Sequence, residues 1–234
     1  MRIVAIDTSA RVGSVALQEG RDLICEVTVG MERKHCERLM PAVQWAMAAA
    51  GWEGDSVDVV ATTHGPGPFT AIRVGVTAAK SLAYGWGAGA VAFPTPDAVA
   101  RGYRHLSRPL HVLFDARKQE VYSARYIPDD ASGFLVRRGD VECCAMEEAL
   151  RDADPGTLYV GDGAIVYRDI VERLGGDGSA LGEVGAASVR AGAVAALAFE
   201  AGPPALGGDH VHALAPLYVR RPEAVVRAER ARSI

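Results

Sequence analysis

Three short β-rich runs, RIVAIDT, GSVALQEG and LICEVTV, open the chain with turn residues between them, so it begins as an antiparallel meander. The helices and the buried strand after this meander constrain the fold most. HCERLMPAVQWAMAAAG is a stretch of strong helix formers stopped by Gly51, and VDVVATT is a continuous apolar run, the pattern of a strand buried on both faces. FTAIRVGVTAAKSLAYG is then a second helix, closed by Gly85, and AVAF a further strand. After PTPDAVARGY the order restarts. LHVLFDA and EVYSARYI pair across RKQ as a hairpin, GFLVRRGDVEC is a third strand and AMEEALRDA is helical. TLYVGDG is a strand, and VYRDIVERLG and SVRAGAVAALAFEAG are helices. Two related α/β units, split near residues 105 to 109, account for this repetition. Residues 1–107 form the better-defined unit, and residues 108–234 a shorter one with the final helix and tail.

With 234 residues and 49% hydrophobic content the chain has enough apolar material for a real core. Its 25 basic and 29 acidic residues leave a net charge of -4, which gives no general field to attract nucleic acid or an anionic membrane. Cys25, Cys36, Cys143 and Cys144 make no CxxC pair, so a reducing, cytoplasmic setting is expected. Asp7 interrupts the first apolar run too early for a signal-peptide core or a membrane span.

The loop between the buried strand and the second helix reads HGPGPFT. Its glycines suggest a phosphate cradle, which requires convergent backbone N–H groups at a helix N-terminus. Pro66 and Pro68 have no N–H, and the pattern GxxxxGK[ST] is absent. Gly65, Pro66, Gly67 and Pro68 therefore read as a stiff strand-to-helix turn, with Thr70 expected to bond the first helical turn. On the helix after this loop, Ala71, Gly75, Ala78 and Ala79 are small, so one side can admit another backbone closely. On the preceding helix Leu39, Val43, Met47 and Ala50 make one stripe, while Met40, Trp45, Ala48 and Trp52 point elsewhere. A helix apolar nearly all round must be covered on more than one side, by the sheet and by a neighbouring helix, the second unit or another protein.

AIDTSARVGSVAL, HCERLMP, HGPGPFTAIRVGVTAAKSLAYG, FDARKQEVY and the closing PLYVR occur in an order that resembles the TsaB family. The resemblance implies an actin/Hsp70/sugar-kinase-like α/β fold with two related subdomains. It also implies a non-catalytic subunit that binds and activates TsaD, the similar chain that transfers a threonylcarbamoyl group to an adenosine of tRNA. The two would meet through their paired helices. TsaE, a small ATPase, would join the complex, tRNA would be reached indirectly, and self-association as a homodimer is a further possibility. His35, Leu39, Pro41 and Val43 on the first helix and Thr70, Arg73, Val74 and Thr77 on the second are the candidate interface residues.

TsaD carries an HxxxH metal pair after its second helix; here Thr95 and Val99 fall at those places, so neither a metal nor another cofactor is expected. Asp7, Thr8 and Ser9 stand where superfamily kinases contact phosphate, and here they are read as caps of the hairpin turn. Asp115, Arg117, Glu120 and Tyr122 are read as fixing a turn or an interdomain contact. Relatives often read GPGSFTG, where this chain has Pro68 and Ala71. His35 and His64 are read as local hydrogen-bonding groups, and neither Ser9, Ser14 nor Cys36 lies in a nucleophile motif. The C-terminal Arg220, Arg221, Arg227, Arg230 and Arg232 offer charge for tRNA phosphate, although Glu223 and Glu229 dilute it. An enzyme with its own activity, a kinase-like phosphotransferase or an M22-type peptidase homologue, is the rival class.

Overall fold

The computed structural model describes residues 1–31, 34–183, 189–204 and 208–220. Strands β1 (Arg2–Asp7), β2 (Val12–Glu19), β3 (Asp22–Gly30), β4 (Val59–Thr63) and β5 (Gly89–Phe93) form one sheet in the order β3-β2-β1-β4-β5. Strands β6 (Leu110–Arg117), β7 (Glu120–Asp129), β8 (Phe134–Ala145), β9 (Leu158–Val160) and β10 (Ala180–Leu181) form the other, in the order β10-β9-β6-β7-β8. Read from the third strand of each, the two orders are the same. In both sheets a three-stranded antiparallel meander continues into parallel strands.

The helices are α1 (His35–Ala50), α2 (Phe69–Trp86), α3 (Thr95–Arg101), α4 (Met146–Ala149), α5 (Asp162–Val166), α6 (Arg168–Leu174), α7 (Ala191–Ala201) and α8 (Gly208–Ala213). The period of two in β1 decides how they layer. Val4 and Ile6 face a core shared with Leu39, Val43 and Met47 of α1 and Ala79 and Leu82 of α2. Ile3 and Ala5 face the opposite core, shared with α3, α7 and the inner face of the second sheet at Val112, Ala124, Tyr126 and Val160. The outer face of the second sheet packs Leu113, Val121 and Tyr159 against Met146, Leu150 and Val171. The two sheets thus alternate with three helical layers.

Several elements differ from the expectation. The second helix runs through Gly85 and ends at Gly87, which takes the left-handed conformation at φ 69°. A glycine at Gly85 interrupts nothing because its position faces solvent. The segment after β5 is a helix, α3, with Pro96 in its first turn, where a missing N–H costs nothing. AMEEALRDA is helical over four residues only, and the glycine turn after β9 opens α5. The last long helix, α7, falls in the range expected for the second unit but packs on β1, β2 and β4 of the first sheet. The Ser14 hydroxyl holds it there, donating to the Val189 carbonyl and accepting the Ala191 N–H.

The small residues of α2 face the sheet: Ala71, Gly75 and Ala79 are buried, and a Cβ on Gly75 would lie 2.4 Å from Thr8 Oγ1. That hydroxyl cannot swing away, since it donates to the Ala71 carbonyl at 2.7 Å. Gly75→Ala is expected to destabilise the fold by about 1–3 kcal/mol through overpacking, outweighing the roughly 1 kcal/mol that alanine gains in helix propensity. Urea unfolding at neutral pH checks the sign.

Candidate functional site

Because α1 and α2 bury one face each in the sheet, their outer faces and the groove between them are left to solvent. The groove, about 560 Å³, is lined by Cys36, Leu39, Met40, Phe69, Thr70, Arg73, Val74, Thr77, Ala78 and Ser81. Of its lining residues Met40 is 36% exposed and Phe69 50%, while Trp45 (59%) and Tyr84 (71%) are exposed elsewhere on the same two helices.

Of the residues singled out in the sequence, Thr70, Arg73, Val74 and Thr77 all line this groove. Leu39 forms its floor and is otherwise buried. Val43 is core, 1% exposed against the sheet, and presents nothing to a partner. It belongs to the sheet-facing stripe, which the all-round apolar pattern of α1 conceals. His35, half-buried, and Pro41, exposed, are on α1 but are not among the residues that line the groove. Met40 and Phe69 join the site without having been assigned to it from the sequence. The signal for Met40 is its position off the core stripe.

Thr70 does not cap α2. Pro68 occupies the N-cap position with no side-chain cap, and its carbonyl accepts the Ile72 N–H at 3.0 Å. Pro68, Phe69 and Thr70 are exposed, so water can satisfy the first-turn N–H groups. The preceding loop is a junction. The His64 carbonyl accepts the Leu217 N–H at 2.7 Å, and the Gly65 carbonyl accepts the Thr95 N–H at 2.8 Å. Gly65 has φ 119°, and a Cβ there would lie 2.7 Å from the Leu217 carbonyl oxygen; one on Gly67 would lie 3.0 Å from that of Ser9. These glycines permit backbone approach within the chain.

Beside the loop lies a cleft of about 390 Å³ between the two sheets, with Arg11, Pro66, Pro68 and Phe69 on one side and Asp115, Arg117, Tyr122 and Asp162 on the other. The closing PLYVR segment crosses it. Asp115 accepts the Arg117 N–H at 2.8 Å and the Tyr167 hydroxyl at 3.1 Å, and Asp162 accepts the Asp115 N–H at 3.0 Å. Burial pushes the Asp162 carboxyl above its ordinary range. Arg220 donates to the Ala116 carbonyl at 2.8 Å and pairs with Glu120 at 2.7 Å. Arg221, Arg227, Arg230 and Arg232 lie outside the described residues.

At the end of β1 the side chains reach further than the hairpin they were expected to cap. Asp7 Oδ1 accepts the Ser9 N–H at 3.3 Å, a local bond, but also the Thr63 hydroxyl from β4. Thr8 reaches α2 through the Ala71 carbonyl. These residues end a central strand beneath α2, and their nearest partners come from neighbouring elements. Thr95 and Val99 are buried on α3, and Val99 has no ligand atom. Among the described residues no three His, Cys, Asp or Glu side chains group to hold a metal ion.

The duplicated 3-2-1-4-5 sheets with helices between and outside them define an α/β protein of the actin/Hsp70/sugar-kinase-like fold. A family model described as TsaD: tRNA N6-adenosine threonylcarbamoyltransferase matches residues 29–132. The Bacillus subtilis tRNA threonylcarbamoyladenosine biosynthesis protein TsaB is 28% identical over 227 residues, 96% of each chain. An uncharacterized Mycobacterium tuberculosis protein, Rv3421c, is 32% identical over 95% of this chain and 93% of its own. The solved structure of YeaZ from Pseudomonas aeruginosa superposes with a TM-score of 0.75 at 24% identity, over 93% of this chain and 100% of that one. The chain belongs to the TsaB family.

Asp7 is fully buried, its Oδ2 has no hydrogen-bond partner, and desolvation pushes its pKa up from 3.8 to about 6 against the pull of Thr63 and Ser9. The folded chain therefore keeps a proton that the unfolded chain releases. Stability from this group is complete below pH 3.8 and is lost as pH rises through 6. Asp7→Asn, which cannot ionise, is expected to exceed the parent by up to about 3 kcal/mol at pH 7.5, with the gain vanishing near pH 3.5. Thermal unfolding of both chains across that range measures it.

Proposed function

We propose that this chain is a non-catalytic subunit that binds and activates TsaD in threonylcarbamoyl transfer to an adenosine of tRNA. The observation that carries the reading is the outer face of α1 and α2, where a largely apolar groove is lined by Leu39, Met40, Phe69 and Val74. The family supports it: curated relatives are named for tRNA threonylcarbamoyladenosine biosynthesis, and the model matching residues 29–132, which include both helices, is that of the transferase. A partner built on related helices can offer a similar apolar ridge to this groove, by helix packing of the ordinary ridges-into-grooves kind.

In this reading Thr70, Arg73, Val74 and Thr77 contact TsaD, with Leu39 beneath and His35 and Pro41 at the margin. TsaE and tRNA meet the chain through the complex, in the cytoplasm; among the described residues no helix is long and apolar enough to cross a membrane. A second copy of this chain is the competing occupant, because complementary helices can also pair with themselves.

Mixing the purified chain with TsaD from the same genome is expected to give co-elution on gel filtration, and tRNA modification is expected to need both. Full modification by TsaD alone would sink the proposal. Thr77→Arg, which places a long charged side chain in the groove at an exposed position, is expected to weaken TsaD binding at least about tenfold. Its unfolding free energy should stay within about 0.5 kcal/mol of the parent. Unchanged affinity by calorimetry would place the interface elsewhere.

A further inference from the structure

The segment after α8 runs back along α2 and then crosses to the second sheet. Lys80 Nζ donates to the His212 carbonyl at 2.9 Å and to that of Leu214 at 3.2 Å. Leu217 then bonds the His64 carbonyl, and the Tyr218 ring stacks on Phe69 with centroids 5.4 Å apart. Arg73 closes this end: its Nε donates to the Tyr218 hydroxyl at 2.8 Å while its guanidinium lies 3.9 Å over the Phe69 ring. Two residues on, Arg220 grips the β6–β7 hairpin through the Ala116 carbonyl and Glu120. Consecutive Cα atoms are about 3.8 Å apart, so Tyr218 and Arg220 cannot separate by more than roughly 7 Å. The position of Tyr218 therefore limits where Arg220 can sit.

Both anchors are built to change. Phe69 lines the cleft as well as the α1/α2 groove, and Arg73 lines the groove while holding Tyr218, so whatever fills the groove at that end contacts the side chains that fix Tyr218. At the other end, Arg117, Lys118 and Gln119 all have positive φ, at 66°, 56° and 62°. Non-glycine residues in that region cost on the order of 1–3 kcal/mol each and persist only where surrounding contacts hold them. Arg220 supplies one such contact, and the Met146 N–H bond to the Gln119 carbonyl another.

We propose that residues 215–220 are a latch that couples occupation of the α1/α2 groove to the β6–β7 hairpin of the second sheet. Engagement of Phe69 and Arg73 by a partner releases Tyr218, Arg220 loses the anchor that holds it against Ala116 and Glu120, the hairpin loosens, and the cleft between the sheets opens. The link to a partner rests on the proposed docking of TsaD; the link between the two anchors is intramolecular. By reciprocity, a chain with the latch already released binds its partner more tightly.

Amide hydrogen exchange on the full chain tests both links. Tyr218→Phe keeps the ring and loses only the hydroxyl, which does not touch the hairpin, yet residues 117–121 are expected to exchange at least about fivefold faster. Arg220→Ala should do the same, and Arg220→Lys, which keeps a cation for Glu120, should restore slow exchange. TsaD should accelerate the same amides in the parent and add nothing in Arg220→Ala, which should also bind TsaD about threefold or more tightly. Parent-like exchange at 117–121 in both Tyr218→Phe and Arg220→Ala overturns the latch whether or not TsaD binds. TsaD binding that leaves the hairpin of the parent unchanged overturns it as well. Accelerated exchange in both variants without any TsaD binding would uphold the intramolecular latch and remove the docking reading instead.

Discussion

The hydrogen bond from the Thr8 hydroxyl to the Ala71 carbonyl, made across the bare backbone of Gly75, is the contact on which the architecture turns. It seats the first half of α2 directly on the carboxyl end of β1. With that contact in place, Ala71, Gly75 and Ala79 face the sheet, and the 100° step of the helix sends Thr70, Arg73, Val74 and Thr77 outward. The face available to a partner is therefore a consequence of how closely the other face packs. A bulkier residue at the seat would tilt the helix and change the groove with it.

The proline loop is the second constraint. Its glycines admit the backbones of Ser9 and Leu217, and its carbonyls hold α3 and the closing segment. Donors that a nucleotide-binding loop would aim at phosphate are missing at Pro66 and Pro68, and the His64 and Gly65 carbonyls are spent on the chain itself. The cleft beside it is crossed by the chain's own residues 217–220. An element that serves as a ligand cradle in a phosphate-binding design works here as a strut joining β4, α2, α3 and the C-terminal strap.

Much of the fold was legible because alternation and length carry it. The apolar run VDVVATT could be buried on both faces only in an interior strand, which β4 is, and Gly51 stops α1 in the left-handed conformation that glycine favours. The site was legible on α2, where charged and hydroxyl side chains mark the outer face, and obscured on α1. There Leu39 and Val43 share an apolar character with Met40 and Trp45, and periodicity alone does not say which stripe meets the sheet. Thr70 misled because a hydroxyl near a helix start usually caps it, whereas the exposed first turn needs no cap. Long-range partners such as Thr8 with Ala71, or Arg220 with Ala116, leave no local trace in the sequence.

The central claim, that the outer face of α1 and α2 is the docking surface, has a natural reporter in Cys36. It is exposed and lines the groove, whereas Cys25, Cys143 and Cys144 are half-buried on β3 and β8. The rate of thiol alkylation, followed residue by residue by mass spectrometry with and without TsaD, reads the surface directly. Formation of the complex should slow Cys36 at least about tenfold and leave the other three unchanged, as burial of a reactive thiol requires. A complex that forms while Cys36 keeps its free rate would contradict the account.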